Sequence, residues 1–359
     1  MGDAFDRLRL IRSGQIGPVT YFHLINRFGS ARAALEAIPM LAARGGGKTP
    51  RIADADTIRR EIDAVTALGA RHLFVGEPDY PALLAEIDTA PPALIVRGDT
   101  SLAARQVIAI VGARNASAAA CRFARELAHQ LAEADVAIVS GLARGIDTAA
   151  HQGAGLASTV AVIASGIDIY FPPENRDLQE AIAGQGLLIT EHPPGREPLA
   201  RHFPARNRII AGMASGTVVV EAAPKSGSLI TARLAAESGR EVMAVPGSPL
   251  DARAQGCNQL IRDGATLIQS AADVMETIQP IFGGAIREPR AAWISEPLSD
   301  DATSVERRAI ESLLGPTPVA ADELVRQADL PSAIVQTVLL DLELAGRLER
   351  HGGGRVSLR

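Results

Sequence analysis

The sequence predicts an α/β protein: a doubly wound, mainly parallel sheet, with a small helical module before it and a winged-helix module after it. Three observations carry this reading. Six near-continuous apolar runs have strand length: Val107–Val111, Val136–Ser140, Thr159–Ala164, Leu187–Thr190, Thr217–Val220 and Glu241–Val245. Helix-length amphipathic stretches such as Ala118–Glu133 and Ser228–Glu237 lie between most of them. Strands covered on both faces lose the in–out alternation, so this texture points to a parallel sheet between helical layers. Third, the texture changes at His72, and a Gly- and Pro-rich break at 280–300 ends the alternating region.

Before the core, Phe5–Ile11, Val19–Arg27 and Ala31–Ile38 show apolar residues at helical spacing. Gly14-Gln15-Ile16-Gly17 makes a Gly-x-x-Gly turn between the first two, as in SAM-like or helix-hairpin-helix modules. Arg44-Gly45-Gly46-Gly47-Lys48-Thr49-Pro50 imitates a phosphate-binding P-loop. That motif needs glycine five positions before Gly47, where Ala42 stands, and a preceding strand, where a helix is predicted. The segment is therefore read as an exposed loop. A helix over Ala53–Leu68 completes this part. Short strands at Leu73–Val75 and Ala93–Val96, with a helix starting near Asp79, lead into the alternation. Pro280–Asp300 reads as a linker. Helices over Ser304–Leu314, Ala321–Ala328 and Pro331–Ala345, then a hairpin turning at Gly352-Gly353-Gly354, form the winged-helix pattern. Its third helix carries Asp341 and Glu343 and no Arg or Lys before Arg347, which favours a protein-contact or autoregulatory role over DNA reading. The expected boundaries are 1–70, 71–280, a linker over 281–300, and 301–359.

The net charge of −5 excludes a generally basic nucleic-acid coat, so an anionic partner must be held locally. The two cysteines, Cys121 and Cys257, give no metal or disulfide framework. No signal-peptide pattern opens the chain, and the uncharged run from Gly153 to Ile167 is too short for a bilayer. These features lead to the expectation of a cytoplasmic protein that makes no membrane contact.

In an open parallel sheet, loops leaving the carboxyl ends of the strands share one edge, and ligands bind in the crevice there. Three such loops are built for anions. The first is Gly112-Ala113-Arg114, with Asn115-Ala116-Ser117 beyond it. The second is Gly141-Leu142-Ala143-Arg144-Gly145, with Asp147 placed to cap the following helix near Thr148. The third is Lys225-Ser226-Gly227-Ser228, a turn that opens a helix and so offers unpaired N–H groups and the helix dipole. Arg206, Asn207 and Arg208 head the helix entering the same βαβ unit. Each loop brings its own cation, and together they predict a phosphate ligand. The first turn is not Gly-x-Gly-x-x-Gly, which disfavours a nicotinamide site.

No catalytic constellation is evident, and no cofactor or metal site is expected. His151, four residues after Asp147, reads as a base paired with a carboxylate or as a helix-surface contact. Glu221, just after its strand, is placed to order arginines or to cap a loop. With aromatics at 3%, a base-stacking platform is not expected, so phosphate contacts should dominate.

These turns, with Gly166-Ile167-Asp168, Tyr170-Phe171-Pro172, Asn175, Phe203-Pro204-Ala205-Arg206-Asn207-Arg208-Ile209-Ile210-Ala211-Gly212, Ser226-Gly227-Ser228-Leu229-Ile230-Thr231-Ala232, Glu241–Gly247 and Gly256–Ile261, resemble the DprA/Smf (DNA-processing protein A) family over about residues 105–270. Ala113 stands where many members have Ser. The resemblance implies a Rossmann-like sheet domain and a cytoplasmic, non-catalytic protein. It further implies binding of single-stranded DNA, a homodimer formed through that domain, and loading of RecA recombinase onto DNA taken up in natural transformation. Carried over, the contacts would be Gly112–Arg114, Gly141–Asp147, Arg206, Arg208 and Lys225–Ser228. The alternative is a Rossmann-like nucleotide phosphoribohydrolase of the lonely-guy type. It would need a Pro-Gly-Gly-x-Gly-Thr turn followed by Glu, whereas Ala223-Pro224-Lys225-Ser226-Gly227-Ser228 has no acid after it until Glu237.

Overall fold

The structure, a computed structural model, describes residues 2–283 and 302–359. Four helices lead: α1 (Gly2–Ile11), α2 (Pro18–Phe28), α3 (Ala31–Arg44) and α4 (Ala55–Ala67). Ser30 caps α3 by accepting the Ala33 N–H at 3.2 Å. α3 continues past Pro39, longer than the predicted Ala31–Ile38. Its apolar stripe of Leu35, Ile38, Leu41 and Ala42 is buried, and that packing carries the helix through the proline.

The strands are β1 (Arg71–Phe74), β2 (Ala93–Gly98), β3 (Gln106–Val111), β4 (Val136–Ser140), β5 (Thr159–Val162), β6 (Leu187–Thr190), β7 (Gly216–Val219), β8 (Glu241–Ala244) and β9 (Thr266–Leu267). Their spatial order is β1-β2-β6-β5-β4-β3-β7-β8-β9. β1–β2 and β2–β6 are antiparallel, and every other pairing is parallel. The helices among them are α5 (Ala82–Ala85), α6 (Ala118–Glu133), α7 (Ile146–Ala154), α8 (Arg176–Gln185), α9 (His202–Met213), α10 (Gly227–Glu237), α11 (Gln255–Arg262) and α12 (Ala271–Gly283).

Period-two alternation sends side chains into two cores. Val107, Ala109 and Val111 join α9 and α10 on one face, and Ile108 and Ile110 join α6 and α7 on the other. The chain winds outward from β3 through β4, β5 and β6. It then returns to lay β7 on the opposite side of β3 and continues to β8 and β9. The seam between β3 and β7 is the switch point, where a doubly wound sheet opens its crevice.

α12 extends to Gly283, so the linker expected from 281 starts inside a helix, and its remainder, 284–300, lies outside the described residues. The C-terminal elements are α13 (Ser304–Leu313), β10 (Val319–Ala320), α14 (Ala321–Ala328), α15 (Ser332–Leu344), β11 (Leu348–His351) and β12 (Arg355–Leu358). Thr303 and Glu306 form a reciprocal capping box at the start of α13. β12 pairs with both β10 and β11, giving the winged-helix module its small sheet; the short β10 has no sequence signal of its own.

Two compact units result. The described residues from Arg60 to 283 form one, and those up to Arg59 form the other together with those from 302 onward. The two end modules, expected as separate domains, thus share one body. Among the described residues no helix is long and apolar enough to cross a membrane.

Candidate functional site

The loops that leave β3, β4 and β7 open together at the switch point. They border a cleft of about 550 Å³. The first loop contributes Gly112, Ala113, Arg114 and Asn115, the second Ala143 and Asp147, and the third Lys225, Ser226, Gly227 and Ser228. α9 adds Phe203, Arg206 and Asn207, and the loop after β8 adds Arg253. Arg114, Lys225 and Arg253 are exposed at the lips, while Arg206 is buried.

The two flanking helix N-termini are capped by serines. Ser117 accepts the Ala120 N–H at 3.1 Å at the start of α6, and Ser226 accepts the Ser228 N–H at 3.4 Å at the start of α10. The start of α10, at Gly227 and Ser228, lines the cleft and turns its positive end toward it. Glu221 ties the first loop to the loop leaving β7: its carboxylate accepts the Ser117 N–H at 2.8 Å and the Ser117 hydroxyl at 2.6 Å. It therefore caps a loop, one of the two roles read from sequence. Its φ of 133° and that of Lys225, 67°, are left-handed values that non-glycine residues seldom adopt.

Arg206 is 6% exposed and its Nε has no hydrogen-bond partner. Burial lowers its pKa to about 10, offset by attraction to Asp147, so the group stays cationic at neutral pH. Gly141 makes room for it: a Cβ there would lie 1.6 Å from Arg206 Nη1. Asp147 does not cap at Thr148 as expected. It lies inside the first turn of α7, and its Oδ2 accepts the N–H groups of Gly141 (3.2 Å) and Ala143 (3.4 Å), folding the second loop back on its own helix. Burial raises the Asp147 pKa, with Arg206 acting against that.

His151 is neither a carboxylate-paired base nor a surface contact. It is fully buried; Nε2 accepts the Leu142 N–H at 3.3 Å, which places the proton on Nδ1, 2.6 Å from the Thr159 hydroxyl. Burial, reinforced by Arg206, lowers its pKa to about 3. The sign of the linkage follows. Below the unfolded pKa of about 6.5 the unfolded chain takes up a proton that the folded one refuses, so stability falls with pH down to about 3. Urea unfolding at pH 7 and pH 5 should show a loss about 2 kcal/mol smaller in His151→Gln than in the unsubstituted protein.

Not every predicted contact reaches the cleft. Arg144 is exposed and pairs with Glu174. Arg208 donates to the Glu191 carboxylate at 2.5 and 2.6 Å and to the Thr89 carbonyl at 2.7 Å. Arg206 and Arg208 are two positions apart on a helix, about 200° around its axis, so they cannot share one face. Leu142 is wholly buried. Gly145 supports the first loop, because a Cβ on it would stand 2.3 Å from the Ala113 carbonyl oxygen.

Sequence reasoning missed an aromatic pair. Phe203 and Phe171 lie with ring centroids 5.6 Å apart, and the Arg114 guanidinium sits 5.0 Å from the Phe203 centroid. Phe171 is 43% exposed. The low overall aromatic content, which led to the expectation of no base-stacking platform, masked this local grouping. Arg253 was missed too. Its one signal was its place in the loop leaving β8, next to β7.

Comparison with known proteins agrees with this architecture. The family model for DNA recombination-mediator protein A matches residues 71–279, the DprA-like N-terminal HHH domain matches 2–64, and the DprA winged helix domain matches 295–354. The DNA processing protein DprA of Streptococcus pneumoniae is 46% identical over 198 residues, covering 55% of this chain and 70% of that protein. The crystal structure of the S. pneumoniae protein matches with a TM-score of 0.60 at 36% identity, over 72% of this chain and 86% of that one. The DNA processing protein A of Helicobacter pylori, solved for its single-stranded DNA binding mode, matches with a TM-score of 0.54 at 28% identity, over 58% of this chain and 96% of that one. The cleft, the sheet order and the three matched regions together make this chain a member of the DNA-processing protein A (DprA/Smf) family.

Proposed function

We propose that this protein binds single-stranded DNA in the switch-point cleft, gripping the phosphate backbone with little regard to sequence. The observation that carries the reading is the convergence of Arg114, Lys225, Arg253 and the buried Arg206 on one cleft, whose wall includes the serine-capped N-terminus of α10. Such a site recognises repeating phosphates. The H. pylori relative, known for its single-stranded DNA binding, supports the choice of polymer. Family membership extends the proposal to a cytoplasmic homodimer formed through the Rossmann-like unit that loads RecA onto incoming strands. Gly112–Arg114, Ala143, Asp147, Asn207 and Lys225–Ser228 line the contact surface; Arg208 and Arg144 act from its surroundings.

A phosphoribohydrolase is disfavoured by two features. The acid nearest the third turn, Glu221, is engaged by Ser117, and Glu237 stands at the far end of α10. Fluorescence anisotropy with labelled single strands of several sequences, and with a duplex, tests the proposal. Comparable affinity across single strands and weaker duplex binding are expected. Preference for duplex, or base released from nucleoside monophosphates, would overturn it. In the same assay Phe203→Ala should lose about tenfold in affinity, the scale of one stacked base.

A further inference from the structure

The glycine loop at 45–47 and the acidic third helix of the winged module both stand outside the DNA cleft, and the structure brings them together. α15 has two apolar faces. Val335, Val338, Leu339 and Leu342 fill the winged-helix core with Ile310, Leu324 and Val356. Leu340 and Leu344 instead enter the core of the N-terminal helices, beside Leu10, Tyr21 and Leu41. Thr337, Leu340, Asp341 and Leu344 are spaced as one helical stripe, and none is more than 2% exposed. This outer stripe belongs to the helix that a DNA-reading winged module lays in the major groove.

The receiving surface is the loop that imitates a P-loop. A Cβ on Gly45 would lie 2.1 Å from the Asp341 carbonyl oxygen, and one on Gly47 would lie 2.0 Å from that of Ala345. The α15 backbone thus rests directly on the loop, with no room for a side chain. Arg347 Nη1 donates to the Gly45 carbonyl at 2.9 Å. Asp341 accepts from Arg307 at 2.6 Å, and Arg27 and Arg44 of the N-terminal helices also attract its carboxylate. An Asp inside a buried stripe suits a cationic protein seat and opposes a phosphate backbone.

We propose that α15 is a protein-docking helix whose occupant is the N-terminal helical module of this chain, seated through Gly45 and Gly47, and that the winged module does not read DNA with it. The inference is independent of the single-strand reading of the cleft.

Hydrogen exchange on full-length protein, followed by mass spectrometry, tests it at 337–344, with β3 and β4 as internal references. Gly45→Val/Gly47→Val should speed exchange of that segment at least about tenfold while β3 and β4 stay protected. A wedge in the loop could also act by unfolding the N-terminal helices. Ala345→Leu therefore enters from the opposite side with the glycines intact, and it should expose both 337–344 and 34–44. Unchanged exchange at 337–344 in both variants, or protection of that segment by added duplex DNA in the unsubstituted protein, would overturn the proposal.

Discussion

Alanine at both Arg114 and Lys225 should weaken single-strand binding about 20- to 30-fold at 0.1 M salt and halve its salt dependence. Four cations line the cleft. If each neutralises one phosphate, log K falls with log salt at a slope of about −3, since each single-strand contact contributes about −0.7. Removing two lowers the slope to about −1.4, and the two lost increments at 0.1 M multiply to the stated factor. Both side chains are exposed, so the fold should be untouched. Anisotropy titrations between 50 and 300 mM salt read both quantities. An unchanged slope in a folded double variant would remove these residues from the site.

Gly145→Ala should have the largest effect on the cleft as a structure. Gly145 adopts φ 75° and ψ −120°, which L side chains rarely adopt. The new Cβ would also press on backbone, 2.3 Å from the Ala113 carbonyl oxygen and 2.8 Å from that of Arg114. The Ile146 N–H donates to the Ala113 carbonyl at 3.3 Å, so the second loop braces the first at this point. Relief requires the two loops to part. We expect a stability loss of about 3 kcal/mol by urea unfolding and at least a tenfold loss of single-strand affinity. Gly184→Ala is the control: a Cβ there meets nothing within 4 Å. Affinity equal to the unsubstituted protein, measured where Gly145→Ala is folded, would show that this bracing does not shape the cleft.

The sheet was legible because its strands are covered on both faces. Residues 107–111 and 136–140 are buried throughout, and no solvent-facing position interrupts the apolar run. The convergence of the three loops follows from the same fact, since parallel strands send their carboxyl ends to one edge. What the sequence hides is side-chain direction and partnership across long separations. Nothing in Arg208 tells that Glu191 will take it, although its two-residue offset from Arg206 already places the pair on different faces. Phe171 and Phe203 meet only because the loop after β5 and the start of α9 fold toward the same lip. The rejection of the P-loop at 44–50 stands, but its glycines are not free loop. They are the space that a helix some three hundred residues later occupies.

That separation has a consequence for synthesis. The Arg347–Gly45 contact spans 302 positions. At a translation rate of about 5–20 residues per second, the N-terminal helices wait roughly 15–60 s before α15 is made. During that interval the glycine seat and the apolar surface that Leu340 and Leu344 later cover stand open. The sheet unit, made from contiguous sequence, can close first. Completion of the first-made module thus falls to the last of the described helices. A nascent chain stalled or cut short before α15 would present a defect at its opposite end, in residues that are themselves intact.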